Sequence, residues 1–241
     1  MSYLPKEFWD RRLSEQFDLR GTGQTGLSLA YNRACYELRR EVLARTLRQV
    51  GLDPHGKTVL DVGCGTGFFT AWYLAQGARV TGVDIAPTSV ERLRARFPEA
   101  RFMLADVSEV ALEGTFDLVN AFDVLYHVVD DARWAAAVRR LADAVAPGGA
   151  LLVTDTFAAA GAIAEHNRMR PLAEYRRVLD PLGFAFEAVH PTHVLLNREL
   201  GFFRFLNRAP WLLLAVDRAL LALGFGHGAK INKLLVAKRR A

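Results

Sequence analysis

Between residues 59 and 68 the chain reads Val59-Leu60-Asp61-Val62-Gly63-Cys64-Gly65-Thr66-Gly67-Phe68, an apolar run, one acid and then three glycines at alternate positions. An apolar stretch this short, ended by glycine and followed by a helical pattern, predicts a buried strand that turns directly into a helix. Glycine is needed in such a turn because the backbone bends sharply and a ligand approaches it closely, and a Cβ would hinder both. The spacing also separates two readings. A dinucleotide fingerprint, G-x-G-x-x-G, would put its third glycine where Phe68 stands, so a nicotinamide cofactor is the weakest alternative.

The same rhythm recurs along the chain. Apolar runs at 79–83, 101–104, 116–121 and 149–154 alternate with helical stretches at 69–76, 88–97 and 130–145, which is the pattern of βαβ units on a parallel sheet. Pro147-Gly148-Gly149 turns the chain into the fifth strand. Ahead of the first strand, Ala30, Ala34, Leu38, Val42 and Leu47 form one apolar stripe, predicting a helix over 27–50 after a flexible loop at 21–26. From Pro171 a helix runs to Gly183, followed by strands at 184–196 and 232–238.

Composition narrows the class. With 241 residues, 51% hydrophobic and 24% charged, the chain is globular, not disordered, collagenous or coiled-coil. The 31 basic residues against 26 acidic ones are mostly interleaved, and the net charge of +5 is too modest an excess to read as a nucleic-acid surface. Lys238, Arg239 and Arg240 read as a solvated end. Two cysteines, Cys35 and Cys64, cannot build a disulfide framework or a zinc site. Residues 1–12 carry Lys6, Glu7, Asp10, Arg11 and Arg12 instead of an apolar signal core, so a cytoplasmic location is expected.

Two further acids end the next two apolar runs. Asp84 closes Val80-Thr81-Gly82-Val83, where its oxygens can accept both hydroxyls of a ribose. Asp106 follows Phe102-Met103-Leu104-Ala105, placed to accept an adenine exocyclic amine. Three acids beside a glycine loop suit a cationic nucleoside. Together with Phe116-Asp117-Leu118-Val119 and Ala146-Pro147-Gly148-Gly149-Ala150-Leu151-Leu152, these strings resemble, in order over residues 58–155, the class I S-adenosylmethionine-dependent methyltransferases.

The resemblance implies an α/β fold: a Rossmann-like seven-stranded sheet whose last strand is antiparallel, helices on both faces, N-terminal cap helices and a helical insert before the last strand. It further implies S-adenosylmethionine (S-adenosyl-L-methionine) across the carboxyl ends of the first three strands. By position, Gly63, Gly65 and Gly67 would line the methionine part, with Cys64 between them. Asp61 would orient the loop, Asp84 with Ile85 would hold the ribose, Asp106 and Val107 would flank the adenine, and Phe122 would pack against the cofactor. Tyr31 and Arg39, two turns apart on the cap helix, suit the cofactor carboxylate or the acceptor. One domain over 1–241 is expected, with cap helices at 1–55, a cofactor-binding core at 56–198, an apolar helical insert at 199–228, and the last strand with a basic tail at 229–241.

The string Asn120-Ala121-Phe122-Asp123-Val124-Leu125-Tyr126-His127-Val128 lacks the Asn-Pro-Pro-Tyr type of sequence expected for methylation of adenine or of glutamine amides. It is similar to the bacterial small-molecule methyltransferases. The expected reaction is methyl transfer to a small apolar or aromatic metabolite, on oxygen. A transfer-RNA methyltransferase and a non-catalytic cofactor-binding scaffold are the alternatives; the first would need a continuous basic face. His127 is the first candidate general base, because imidazole titrates near neutral pH, against a reading as a backbone-bonded structural residue; His166, His190 and His193 come after it. No metal is predicted, since Asp130 and Asp131 mark a helix start, where acids favour the dipole.

The insert 199–228 concentrates Phe202, Phe203, Phe205, Leu206, Trp211 and a leucine-rich run to Leu223, broken by Arg204, Arg208, Asp217 and Arg218. No uncharged stretch in it reaches the roughly 18 residues of a membrane span. It is expected to wall the acceptor site; a satellite core, a dimer surface and a peripheral membrane contact are its other readings.

Overall fold

The structure, a computed structural model, describes residues 3–110, 112–158, 161–164, 166–197 and 200–240. Glu199, Met1 and Ala241, which bound the expected segments, lie outside the described residues. Helices α1 (Pro5–Glu15), α2 (Leu19–Thr22) and α3 (Leu29–Gln49) precede β1 (Thr58–Val62). Then come α4 (Phe68–Ala75), β2 (Arg79–Asp84), α5 (Pro87–Arg96), β3 (Arg101–Leu104), β4 (Phe116–Ala121), α6 (Asp131–Asp143) and β5 (Val145–Asp155). A hairpin of β6 (Gly161–Ala164) and β7 (Asn167–Met169) leads to α7 (Leu172–Leu179), β8 (Phe184–Pro191), α8 (Pro210–Ala222) and β9 (Lys233–Arg239).

Seven strands form one sheet in the order β3-β2-β1-β4-β5-β9-β8, with β1 to β5 parallel and β9 antiparallel to both its neighbours. The strands are apolar on both faces because helices cover both. Successive residues separate accordingly: Val59, Leu118, Ala150 and Leu234 pack beneath α3 and α4, while Leu60, Val119, Leu151 and Leu235 pack beneath α6 and α7. Ser28 caps α3 by accepting the Tyr31 N–H, and Asp130 caps α6 by accepting the Arg133 N–H. Asp130 thus marks the start of the helix, and Asp131 is paired to Arg168 and Arg170.

Three expectations change in detail. Part of the loop at 21–26 is helical, because Asp18 accepts the Arg20 N–H and starts α2. The strand expected over 184–196 stops at Pro191. Beyond it the N–H groups of Val194, Leu195 and Leu196 donate to the Asp217 carboxylate, at 2.7–3.0 Å, instead of to a neighbouring strand. The β6-β7 hairpin was not anticipated, its pairing being too short to leave a periodic signal.

Candidate active site

The chain runs from β1 outward to β2 and β3 and then returns to β4 on the other side of β1. Loops at the carboxyl ends of the strands diverge at such a reversal and leave a crevice. Here it is a cavity of about 210 Å³, walled by the glycine loop, the ends of β2, β3 and β4, and α1.

Gly63 and Gly65 have φ of +67° and +54°, a region that L side chains resist. A Cβ on Gly63 would come within 2.3 Å of Val124 Cγ2, and one on Gly65 within 2.7 Å of Thr22 Cγ2. The loop is therefore pressed against its surroundings and presents bare backbone to the cavity. Asp61 holds it from below, accepting from Thr70 Oγ1 at 2.6 Å and Asn120 Nδ2 at 2.7 Å. Burial pushes its carboxyl up to about 6, against the pull of those two donors. Asp84 accepts the Gly65 N–H through Oδ2 at 2.7 Å and the Ala86 N–H through Oδ1 at 2.9 Å, and burial raises it as well. The Ile85 N–H and the Ser89 hydroxyl also pull the Asp84 carboxyl down, against the larger effect of burial.

Asp106 accepts from the Ser108 N–H and O–H and from Arg133 Nη2. Ile85, Val107, Cys64 and Phe122 complete the lining, with Phe122 edge-on to Phe69 at 4.8 Å. The Cys64 thiol is pushed up by burial, which keeps it protonated.

His127 lies in the lining at the end of a single 3-10 turn, Leu125–His127. Its Nδ1 is 2.8 Å from the His166 carbonyl oxygen, so in the neutral ring Nδ1–H donates there and Nε2 keeps its lone pair. Desolvation lowers its pKa to about 4. The ring meets Trp9 edge to face at 4.9 Å and stacks on His166 at 5.7 Å.

Other expected residues stand elsewhere. Tyr31 is fully buried, and its hydroxyl accepts the Asn197 N–H at 2.9 Å. Arg39 is buried in an ion pair 2.6 Å from Asp123. Neither lines the cavity, because α3 turns that stripe toward the sheet and toward the segment after β8. Gly67 caps α4 with φ +79°, and a Cβ there would meet Leu93 and Phe97, so it serves helix packing. His166 backs His127 without reaching the lining, and His190 and His193 are outside it. The insert does not wall this cavity: none of residues 200–228 lines it, and α8 packs Leu213 and Leu221 against the α3 side of the core.

The cover is instead α1, through Tyr3 just before it, Pro5, Trp9 and Leu13. Thr22, Tyr36, Asp123 and Arg133 are further lining residues that sequence reading missed. The one available signal was Phe8-Trp9, an aromatic pair in an otherwise charged stretch. Asp123 follows Phe122 directly and adopts φ +58°, held by Arg39 and Asn232. Among the described residues no group of three or more His, Cys, Asp or Glu is placed to hold a metal, and no helix is long and apolar enough to cross a membrane.

Residues 59–149 match a family model described as a methyltransferase domain. The chain is 36% identical over 109 residues to a ubiquinone biosynthesis O-methyltransferase of Xanthomonas axonopodis pv. citri, covering 43% of this chain and 44% of that protein. It is 31% identical over 112 residues to nodulation protein S of Bradyrhizobium diazoefficiens, covering 45% and 54%. The chain thus spans about half the length of the curated relatives it matches. Magnesium protoporphyrin IX methyltransferase from Synechocystis PCC 6803, solved with bound S-adenosylmethionine, superposes with a TM-score of 0.65 at 19% identity, over 97% of this chain and 94% of that one, a likeness of fold. The match over 59–149 makes that stretch similar to a methyltransferase domain, and the reversed strand order and the strained glycine loop with its acids agree with that likeness.

Proposed function

We propose that the chain transfers a methyl group from S-adenosylmethionine to a small, apolar or aromatic acceptor, on oxygen. The observation that carries this reading is the convergence of the bare glycine loop, Asp84 and Asp106 on one cavity roofed by apolar and aromatic side chains. Malonyl-[acyl-carrier protein] O-methyltransferase of Serratia marcescens, 32% identical over 133 residues, and the ubiquinone biosynthesis enzyme are oxygen methyltransferases by name, which supports the choice of atom. When bound, the sulfonium would supply an already activated methyl group.

The chain's own residues then have three tasks. Gly63 and Gly65 admit the methionine portion against the backbone. Asp84 accepts ribose hydroxyls, and Val107, Ile85 and Phe122 hold the adenine in an apolar slot. Trp9, Tyr3 and Leu13 exclude water and hold the acceptor in line, and positioning of this kind is worth up to roughly 7–11 kcal/mol. His127 presents an Nε2 lone pair that can accept from an acceptor hydroxyl. A pKa near 4 makes it a weak base, so its proposed part is to orient the hydroxyl.

Asp84 tests the reading. Wild-type protein should bind 2′-deoxy-S-adenosylhomocysteine roughly tenfold more weakly than S-adenosylhomocysteine, and that difference should vanish in Asp84→Asn. An equal preference in both proteins, measured by calorimetry, would remove Asp84 from the ribose.

A further inference from the structure

The exposed apolar surface of the molecule is concentrated in the segment between β8 and β9. Phe202 is 88% exposed, Trp211 72% and Leu223 73%, with Phe203, Phe205 and Phe225 each more than half exposed. Phe202, Phe203 and Phe205 occupy one turn-rich stretch, Gly201–Arg208, with their rings 5.5 and 6.3 Å apart. On α8, Leu212 and Val216 follow at a spacing of four, and Leu223, which caps the helix, comes seven later on the same side. Leu213, Asp217 and Leu221 form the buried face beside it. Soluble surfaces seldom leave so much contiguous apolar area without an occupant.

Charge selects the occupant. Between residues 200 and 230 every exposed charged side chain is basic: Arg204, Arg208 and Lys230, together with Arg218, whose charge is already met by Glu41 of α3. The sole acid, Asp217, is turned inward to the N–H groups of 194–196. Elsewhere in the chain acids and bases are nearly balanced. A second copy docking through the same patch would place Arg204 and Arg208 of both copies in one interface, with no exposed acid between residues 200 and 230 to pair them. An apolar face carrying aromatic rings and edged by arginines instead matches the interface of an anionic lipid bilayer, where rings enter the headgroup boundary and guanidinium groups meet lipid phosphates. We infer that this segment is a peripheral docking surface for an anionic membrane, with Phe202, Phe203 and Trp211 as the inserted side chains and Arg204 and Arg208 as the lipid-phosphate contacts. It stands independently of the proposed reaction, because none of these residues lines the cavity.

The test is co-sedimentation of the full chain with vesicles of phosphatidylcholine alone and with vesicles containing phosphatidylglycerol. Wild-type protein should sediment with the anionic vesicles and stay in solution with the neutral ones, and binding should weaken in high salt. Phe202→Ser/Trp211→Ser and Arg204→Glu/Arg208→Glu should each lose vesicle binding by roughly tenfold or more. Their affinity for S-adenosylhomocysteine should match wild type, which shows that they are folded. Wild-type protein that stays in solution with both vesicle types overturns the inference. So does binding that ignores lipid charge and the arginine reversal. A concentration-dependent dimer abolished by Phe202→Ser/Trp211→Ser, with no vesicle binding, would assign the face to a second copy.

Discussion

Two helices appended to this sheet, each begun by a proline, end in opposite situations. Six of the eleven residues of α1 are charged, against two of thirteen in α8, so composition alone would send α8 inward and α1 outward. Yet Trp9 and Leu13 of α1 close the cavity, while Trp211, Leu212 and Val216 of α8 face out. The difference lies in what each helix meets. Alpha-1 lies over the crevice at the strand reversal, an apolar concavity that two well-spaced side chains can fill. Alpha-8 meets α3, whose inner face is already committed to the sheet, so only a narrow stripe including Leu213 and Leu221 reaches the core. Burial of an appended helix depends on the vacancy offered to it as much as on its own apolarity.

The comparison can be broken at either helix. The largest effect should come from the narrow buried stripe of α8. Leu213→Ala should cost about 2–5 kcal/mol by denaturant titration, because a fully packed leucine leaves a cavity. A loss below about 1 kcal/mol would mean that α8 is not anchored in the core.

Next in size is the contrast between two tryptophans. Trp9→Ala should weaken S-adenosylhomocysteine binding roughly tenfold, from lost apolar contact over the cavity. Trp211→Ala should leave it within about twofold. Equal effects in a calorimetric titration would sink the assignment of α1 as the cover.

The smallest effect concerns how α1 is held. His127, folded against Trp9, has its pKa lowered from 6.5 to about 4. A depressed histidine contributes stability that is fully present above its unfolded pKa and is lost as pH falls through 6.5 toward 4. Asp61 and Asp155, both raised to about 6, act with the opposite sign, gaining stability as pH falls through 6. His127→Gln should therefore reduce the fall in melting temperature between pH 7 and 6 by about 1–3 °C relative to wild type. Parallel pH profiles for the two proteins would show that His127 does not resist protonation.

The core strands and the helices between them were legible because each is a local string. Val59-Leu60-Asp61-Val62 followed by glycines specifies a buried strand and a tight turn wherever it occurs, and the boundaries of β2, β3 and β4 fell within a residue of the apolar runs. Asp61, Asp84, Asp106, Val107 and Phe122 reach the cavity because they follow directly from those strand ends. Tyr31 and Arg39 failed for the complementary reason. Their spacing fixes a helical face, but not what that face meets, and α3 delivered them to Asn197 and Asp123.

What the sequence determined by itself was thus the core strands, the helices between them and the glycine turn at the floor of the site, since hydrophobic periodicity and glycine geometry act within a few residues. Tertiary structure alone decided the roof. Whether Trp9 or Trp211 covers the cavity is settled by which concavity the folded sheet leaves open, a property of surfaces assembled from residues more than a hundred positions apart.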